Sequence, residues 1–524
     1  MNFQYINKVI MKLKFLTIIA LFFLLLSSCG KTEDKDKAEK GAEIYNMHCA
    51  RCHIAPDINH LPKEYWVKAI LPEMAARMGI KDGNFKPYDG LQFEEMEIIH
   101  NSGIFPYMPI LNNQDWNTLK EYILSIAPDS LQPIAYEGSP KKQTRFKART
   151  FAIDETPGSY FTFLKYVADG NKIWTGDISG KVMEHKFASG TTSTLHTAKN
   201  AVVDYIEKDT VAYITDIGIL DPSELSTGRI IAAYKDSYVT IPDTLHRPVN
   251  NLVVDLNNDG IEEMVVSEFG YLTGELSLLF KNKEGTYSKK TLLPQPGTIR
   301  SIAKDMDGDG KLDIVTITSQ GDESITILYQ KEDLTFRSDK VIRFSPIYGS
   351  SWFEILDYDG DGDDDIITVN GDNADKTYIH KPYHGLRIHL NDGNNQFTET
   401  YFYPLYGATR FVVNDFDQDG DFDFTIISTF PDYKNNPDYS MVYLENMNTA
   451  TYEFQTHSFD EANLSRWFLL DIGDVDLDGD TDIILSSFTY VFVPVPPDFT
   501  AAWAKNNADI MVLENTLFDK EQVK

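Results

Sequence analysis

Read only for the spacing of apolar and polar positions, the chain shows three textures. Residues 15–28, "FLTIIALFFLLLSS", form one apolar run behind Lys12 and Lys14. Between about residues 41 and 128 apolar positions recur at intervals of three and four. In "DWNTLKEYILSIAP" the residues Trp116, Leu119, Ile123 and Ile126 share a helical face, and Pro128 stops the pattern. From about residue 151 the period shortens to two, and short β-branched and aromatic runs alternate with clusters of Gly, Asn and Asp. The pattern predicts a small helical domain followed by a large all-β one.

The β region repeats. Five acidic segments, "DLNNDGIEE" from Asp255, "DMDGDGKLD" from Asp305, "DYDGDGDDD" from Asp357, "DFDQDGDFD" from Asp415 and "DVDLDGDTD" from Asp474, stand 50, 52, 58 and 59 residues apart. Each lies between two apolar runs, which reads as strand, acidic loop, strand. A period near fifty with about four strands per repeat is that of a propeller blade. Two further blades, without the loop, are read upstream in "KYVADGNKIWTGD" and "DYIEKDTVAYITD", with Asp204 standing 51 residues before Asp255. The expected count is seven, with "ADIMVLEN" as an outer strand of the last blade and "RFKARTF" helping to close the ring. A solenoid is the alternative architecture for such repeats.

In the acidic loops, side chains at positions 1, 3, 5 and 9 and the carbonyl at 7 supply hard oxygen ligands, while glycine at 6 permits the turn, as calcium requires. The side-chain candidates are Asp255, Asn257, Asp259 and Glu263; Asp305, Asp307, Asp309 and Asp313; Asp357, Asp359, Asp361 and Asp365; Asp415, Asp417, Asp419 and Asp423; and Asp474, Asp476, Asp478 and Asp482. An EF-hand would need a bidentate Glu at position 12, which falls at Thr316 or Leu485, inside apolar strand runs rather than a helix. The set resembles the FG-GAP or VCBS repeats of integrin-like propellers, intact in four copies and altered in the first, which carries Asn257 and Glu263. That resemblance implies a calcium-bound propeller over 151–524. The five loops hold 24 acidic residues and one basic residue, Lys311, against a net charge of −31 for the chain. Acidity of this kind reads as ion ligation and solubility and argues against nucleic acid as a partner.

Three cysteines cannot build a disulfide framework in 524 residues. Cys49 and Cys52 stand in "HCARCH", the C-x-x-C-H spacing at which two thioethers hold a haem and the adjacent His53 reaches its iron. A thioredoxin-like site expects a βαβ context, and a zinc site needs two more regularly spaced ligands. "GAEIYNMHCARCH" and "MPILNNQDWNTLKEYILSIAP" resemble the first helix, methionine loop and last helix of class I cytochromes c. The resemblance implies haem c in a domain over 41–128 with Met108 as the second axial ligand. His100, Met74 and Met78 remain alternatives, the two methionines also reading as core residues on one helix face.

The apolar run is too short to span a membrane and suits a signal peptide over 1–28, with Met11 an alternative start. Its "LSSC" ending resembles a bacterial lipobox and implies lipidation at Cys29, followed by a charged tether over 29–40. Lys31, Glu33 and Asp34 loosely resemble a surface-export signal of Bacteroidetes lipoproteins. The expected location is the cell envelope, on the outer membrane through a lipid anchor, with a linker over 129–150 between the two domains.

Opposite the acidic loops, inner strands are expected to begin with Tyr160, Lys199, Asn250, Arg300, Trp352 and Arg410, with Arg466 and Trp467 nearby in the last blade. Cations and aromatics converging there suit a glycan or a small anion; the alternative is that they fill the pore. Two functions are compatible with this organisation. The propeller binds a ligand or partner and carries an electron-transfer haem that serves a redox partner protein. Alternatively, it oxidises a small molecule or sugar and passes electrons to the haem, as quinoprotein dehydrogenases do; no quinone-binding signature is found.

Overall fold

The computed structural model describes residues 35–136, 139–283, 286–374 and 377–518. The apolar leader and Cys29 lie outside them. The described chain forms two compact units, 35–87 with Phe105–Leu131, and Tyr88–Ile104 with 132–518.

In the first unit, a helix over 35–48 crosses the helix Asn113–Ile126 at Gly41. A Cβ there would lie 2.4 Å from that of Tyr122, so the crossing requires a residue without one. Tyr45 packs beside the crossing, its ring centroid 6.2 Å from that of Tyr122. Asn112 caps the second helix by accepting the Asp115 N–H, and the face predicted from periodicity is buried at Trp116, Leu119 and Ile123. Each such side chain contributes roughly 1.5–3 kcal/mol. Trp116 Nε1 and Lys120 Nζ both donate to Asp82, at 2.9 and 3.0 Å, and pin the preceding loop.

The second unit is a β-propeller. Among the described residues there are seven sheets. The first blade is built of Phe161–Val167, Lys172–Asp177, Lys181–Lys186 and Thr191–Thr197 in antiparallel order. Five second strands, Glu263–Glu268, Asp313–Thr318, Asp365–Asn370, Asp423–Ser428 and Asp482–Ser487, are buried at every position. Strands covered on both faces read as continuous apolar runs, which explains "IVTI" and "IILS". The first strands of successive blades neighbour one another, and Trp467–Gly473 lies against Phe161–Val167. The ring is closed by Phe146–Phe151, antiparallel to Ile510–Asn515 with Phe146 opposite Asn515. "IMVLEN" is thus the third strand of the last blade and "FKARTF" its fourth.

The stretch expected as a linker is packed from residue 134 on. Ile134 N–H donates to the Tyr406 hydroxyl at 2.7 Å, Tyr136 stacks on Tyr439 at 3.7 Å, and Lys141–Lys142 adds a short parallel strand to the sixth sheet. Helix Phe93–Ser102 clusters with this unit. Its Gln92–Glu95 capping box leaves Glu95 Oε1 to accept from the Ser223 hydroxyl and the Glu224 N–H, at 2.8 and 3.1 Å.

Candidate haem, calcium and channel sites

The helix over 35–48 ends in a turn that carries Cys49, half-buried, and Cys52, exposed, both as free thiols. Burial pushes the Cys49 thiol up to about 12. His53 Nδ1 lies 2.8 Å from the Ile54 carbonyl, which assigns the proton to that nitrogen and leaves Nε2 as the nitrogen available to a metal. The Tyr45 hydroxyl donates to the Pro56 carbonyl and braces the turn. Met108 sits in a loop held to the Met78 turn by an Ile110 N–H to Met78 carbonyl bond of 2.9 Å. Its side chain is 78% exposed, and Tyr107, Ile110, Met47 and Ile54 of the same unit are exposed as well. Two thiols at attachment spacing, an oriented imidazole and uncovered apolar side chains fit a haem, which would be held by Cys49, Cys52 and His53. Met74 lies within helix Leu71–Arg77 and Met78 caps its C-terminal end, both half-buried, and His100 is exposed on helix Phe93–Ser102.

The five acidic loops each join the first strand of a blade to the second. In each, the position-1 carboxylate accepts the glycine N–H at position 6, as Asp305 Oδ2 does from Gly310 at 2.9 Å. The position-9 side chain opens the second strand and is buried. Asp365 Oδ2 accepts the Tyr358 N–H at 2.9 Å and its Oδ1 the Asn391 N–H at 2.8 Å, tying the loop to the third strand. Asp313, Asp423 and Asp482 repeat this arrangement. Position 9 is therefore a structural anchor as well as a candidate ligand; in Asp423, where Oδ2 accepts from both the Phe416 N–H and the Tyr443 hydroxyl, the free lone pair is on Oδ1.

Among the described residues, oxygens approach within 4.8 Å of one another in four groups: Asp305, Asp307 and Asp313; Asp357, Asp359 and Asp361; Asp415, Asp417 and Asp419; and Asp474, Asp476 and Asp482. Burial pushes Asp365 up to about 6, and Asp423 and Asp482 up to about 7. Asp417 Oδ1 is buried without a hydrogen-bond partner. Neighbouring carboxylates and an orphaned buried oxygen fit a divalent cation. The fourth loop has an added partner in Arg145, whose Nη2 lies 3.1 Å from Asp417 and 3.2 Å from Glu445.

All seven first strands slip by one residue against their second strands. The residues following the slip are Phe163, Asp204, Asn250, Arg300, Trp352, Arg410 and Leu469. The structure thus places Asn250, Arg300, Trp352 and Arg410 at equivalent positions. Tyr160, Lys199, Arg466 and Trp467 are displaced from them. Without acidic loops, the two upstream blades lack the landmark on which the alignment rests, and Asp204 lies inside the strand Val202–Lys208.

Tyr160 bridges to Phe488, and Lys199 lines a cavity of about 370 Å³ with Gly218, Thr227 and Arg229. Arg466 is buried, donates to the Phe488 and Tyr490 carbonyls and stacks 4.5 Å from the Phe492 ring; Trp467 donates to the Glu461 carbonyl at 3.0 Å. These two side chains act as packing and strapping residues.

At the equivalent positions, contacts pass from blade to blade. Asn250 donates to Asp204 at 3.0 Å and accepts the Ser301 N–H at 3.1 Å. Arg300 donates to the Phe353 carbonyl at 2.8 Å and pairs through both terminal nitrogens with Glu354. Trp352 Nε1 donates to Glu354 at 3.0 Å, and the guanidinium carbons of Arg300 and Arg410 lie 4.0 and 3.8 Å from its ring centroid. Glu354 was not singled out by sequence reasoning. It lies two residues after Trp352, so strand alternation puts both on one face.

The cytochrome c family model matches residues 38–127, and the FG-GAP-like repeat model matches residues 305–368. No curated protein matches the chain. Among solved structures, the chain is similar to the Pan2 WD40 domain of Neurospora crassa, at 10% identity and a TM-score of 0.42, covering 71% of this chain and 97% of that one. It is also similar to regucalcin, a calcium-binding protein from Agrobacterium tumefaciens, at 14% identity and a TM-score of 0.34, covering 56% and 92%. The chain carries a cytochrome c domain, which implies covalent haem c and suggests electron transfer, and an FG-GAP-like repeat within a seven-bladed propeller.

Proposed function

We propose that this protein is an electron-transfer lipoprotein of the cell envelope, in which a monohaem cytochrome c domain is carried on a calcium-stabilised propeller that binds a ligand. The observation that carries the reading is the turn with Cys49, Cys52 and His53 free to attach and ligate haem inside a cytochrome c domain. Haem bound there supplies a one-electron couple. The chain's part would be to hold it through the Cys49 and Cys52 sulfurs and the His53 imidazole, with Met108 as a further ligand, and to exclude water from it with the apolar residues now exposed around the turn.

The lipobox-like "LSSC" supports anchoring through Cys29, and the charged segment behind it supports a tether on the outer membrane. The orphaned Asp417 oxygen and the four carboxylate groups support calcium in the propeller loops. A redox partner protein exchanges electrons at the haem, and the propeller supplies recognition.

The test is a potentiometric titration of protein made in a host that attaches haem. A reversible one-electron couple supports the reading. Met108→Ala should lower its potential, because a thioether ligand favours the reduced iron. Protein without a redox-active chromophore would overturn the function, and an unchanged potential would remove Met108.

A further inference from the structure

We infer that the propeller's central channel binds one small carboxylate at Arg410. The inference rests on reading the propeller as the ligand-binding half of the protein. It narrows that reading from a broad face to a single guanidinium.

Arg300, Trp352, Glu354 and Arg410 form one stack on neighbouring inner strands. Two guanidinium groups at 4.0 and 3.8 Å from one ring centroid cannot share a face, so Trp352 lies between Arg300 and Arg410. Glu354 is the acid within hydrogen-bond reach of Arg300, on which the buried Asp471 acts only at longer range. Glu354 is already engaged, by both terminal nitrogens of Arg300 and by Trp352 Nε1. Among the described residues Arg410 makes no hydrogen bond and no ion pair; it lies over the Trp352 indole and is reached by Glu354 only at longer range.

An arginine normally spends its five N–H donors on fixed acceptors when it is taken out of bulk water. Arg466, in the same ring, places Nε and Nη2 on the Phe488 and Tyr490 carbonyls, whereas no nitrogen of Arg410 has such an acceptor among the described residues. Arg410 is half-buried, yet none of its nitrogens is among the sealed polar atoms, so its donor edge is reachable from the channel. Burial and the neighbouring Arg300 lower its pKa to about 9, which leaves it charged at neutral pH.

A planar fork with one uncompensated charge, stacked on an indole, matches a planar carboxylate in charge and shape. A dianion would bring a second charge to a place where Arg300 is already neutralised by Glu354. Arg466, Trp467, Tyr160 and Lys199 stand elsewhere, so the geometry requires no extended glycan subsite. The carboxylate could be free or borne on a sugar, and the same fork would read either.

The experiment is calorimetric titration of the full-length, calcium-loaded protein with acetate, glucuronate and sulfate at constant ionic strength. Wild type should bind acetate or glucuronate saturably, one per chain; binding of both identifies the carboxylate itself, and binding of glucuronate alone identifies a sugar-borne one. Arg410→Gln should weaken the binding roughly ten- to a hundredfold. Arg410→Lys keeps the charge without the fork and should fall between the two, which retains a test if the glutamine variant does not fold. No saturable carboxylate binding to wild type, a preference for sulfate, or unchanged affinity in both variants would overturn the inference. These results leave the haem reading intact, because that reading is judged by the redox couple.

Discussion

Removing calcium should invert how the propeller responds to acid. In the metal-free fold, burial raises the Asp365 carboxyl to about 6 and those of Asp423 and Asp482 to about 7, against about 3.9 in an unfolded chain. A carboxyl raised in this way holds more protons folded than unfolded across that window. Stability therefore increases as pH falls from neutrality toward 4 and is lost as pH climbs through the folded value. Between about pH 7.5 and about pH 5.5, each group at 7 contributes about 2 kcal/mol and the group at 6 about 1 kcal/mol, a sum for these three ligand candidates on the order of 4–5 kcal/mol; the buried His384 and His389, held below the ordinary imidazole range, act in the opposite sense with and without calcium.

For a propeller of this size that corresponds to a rise in melting temperature of roughly 5 °C. With calcium bound, the same carboxylates must be ionised, so acid competes with the metal and the melting temperature should fall over the same interval. The assay is thermal unfolding followed by the β-sheet circular dichroism signal, in chelator and in excess calcium, at both pH values. A chelated protein whose melting temperature falls on acidification, or identical pH profiles with and without calcium, would refute the reasoning.

Three further outcomes follow from the packing. Phe146→Ala should destabilise the propeller by about 3–5 kcal/mol in urea unfolding, because this buried ring in the closing strand packs against Phe416, Tyr443 and Phe459; a change below about 1 kcal/mol would mean that the ring holds without it. Arg145→Gln should tighten calcium at the loop from Asp415 by removing a cation 3.1 Å from Asp417, with the other loops unchanged in calorimetric titration; equal affinities in variant and wild type would count against a metal at Asp417. Gly41→Val should destabilise the haem domain by about 1–3 kcal/mol or more while sparing the propeller melt, since its Cβ would meet that of Tyr122; an unaltered domain would show that the helices can separate at no cost.

The blade count was legible because the acidic loop is a rigid unit of fixed length, and "DMDGDGKLD" places its two flanking strands without ambiguity. The Trp116 to Ile123 face was legible from its helical period, whereas Gly41 stood only within a segment resembling the first helix of class I cytochromes c, and its place at the helix crossing comes from the structure. What the pattern could not supply was register in blades that lack the loop. Asp204 aligns by spacing with the loop residue Asp255 but is a strand residue that accepts from Asn250 and Asn251, so the position counted back from it, Lys199, shifted. The one-residue slip in every inner strand leaves no compositional trace, because the residue that follows it ranges from Leu469 to Arg410. Pairings such as Arg300 with Glu354 and Arg145 with Asp417 join residues 54 and 272 positions apart, beyond any local periodicity. The role of Phe146–Phe151 was visible as a strand, whereas its place beside Ile510–Asn515 is a property of the closed ring.

The central claim, that this chain carries a covalent haem, is tested most directly by the intact mass and visible spectrum of protein purified from a host with haem-attachment machinery, compared with a Cys49→Ser, Cys52→Ser double variant. The account predicts one haem per chain, retained on denaturation and with both thiols closed to alkylation in the wild type, and a haem-free variant whose propeller melts as before. Wild-type protein whose mass is that of the polypeptide alone, with Cys49 and Cys52 both alkylated, would contradict it.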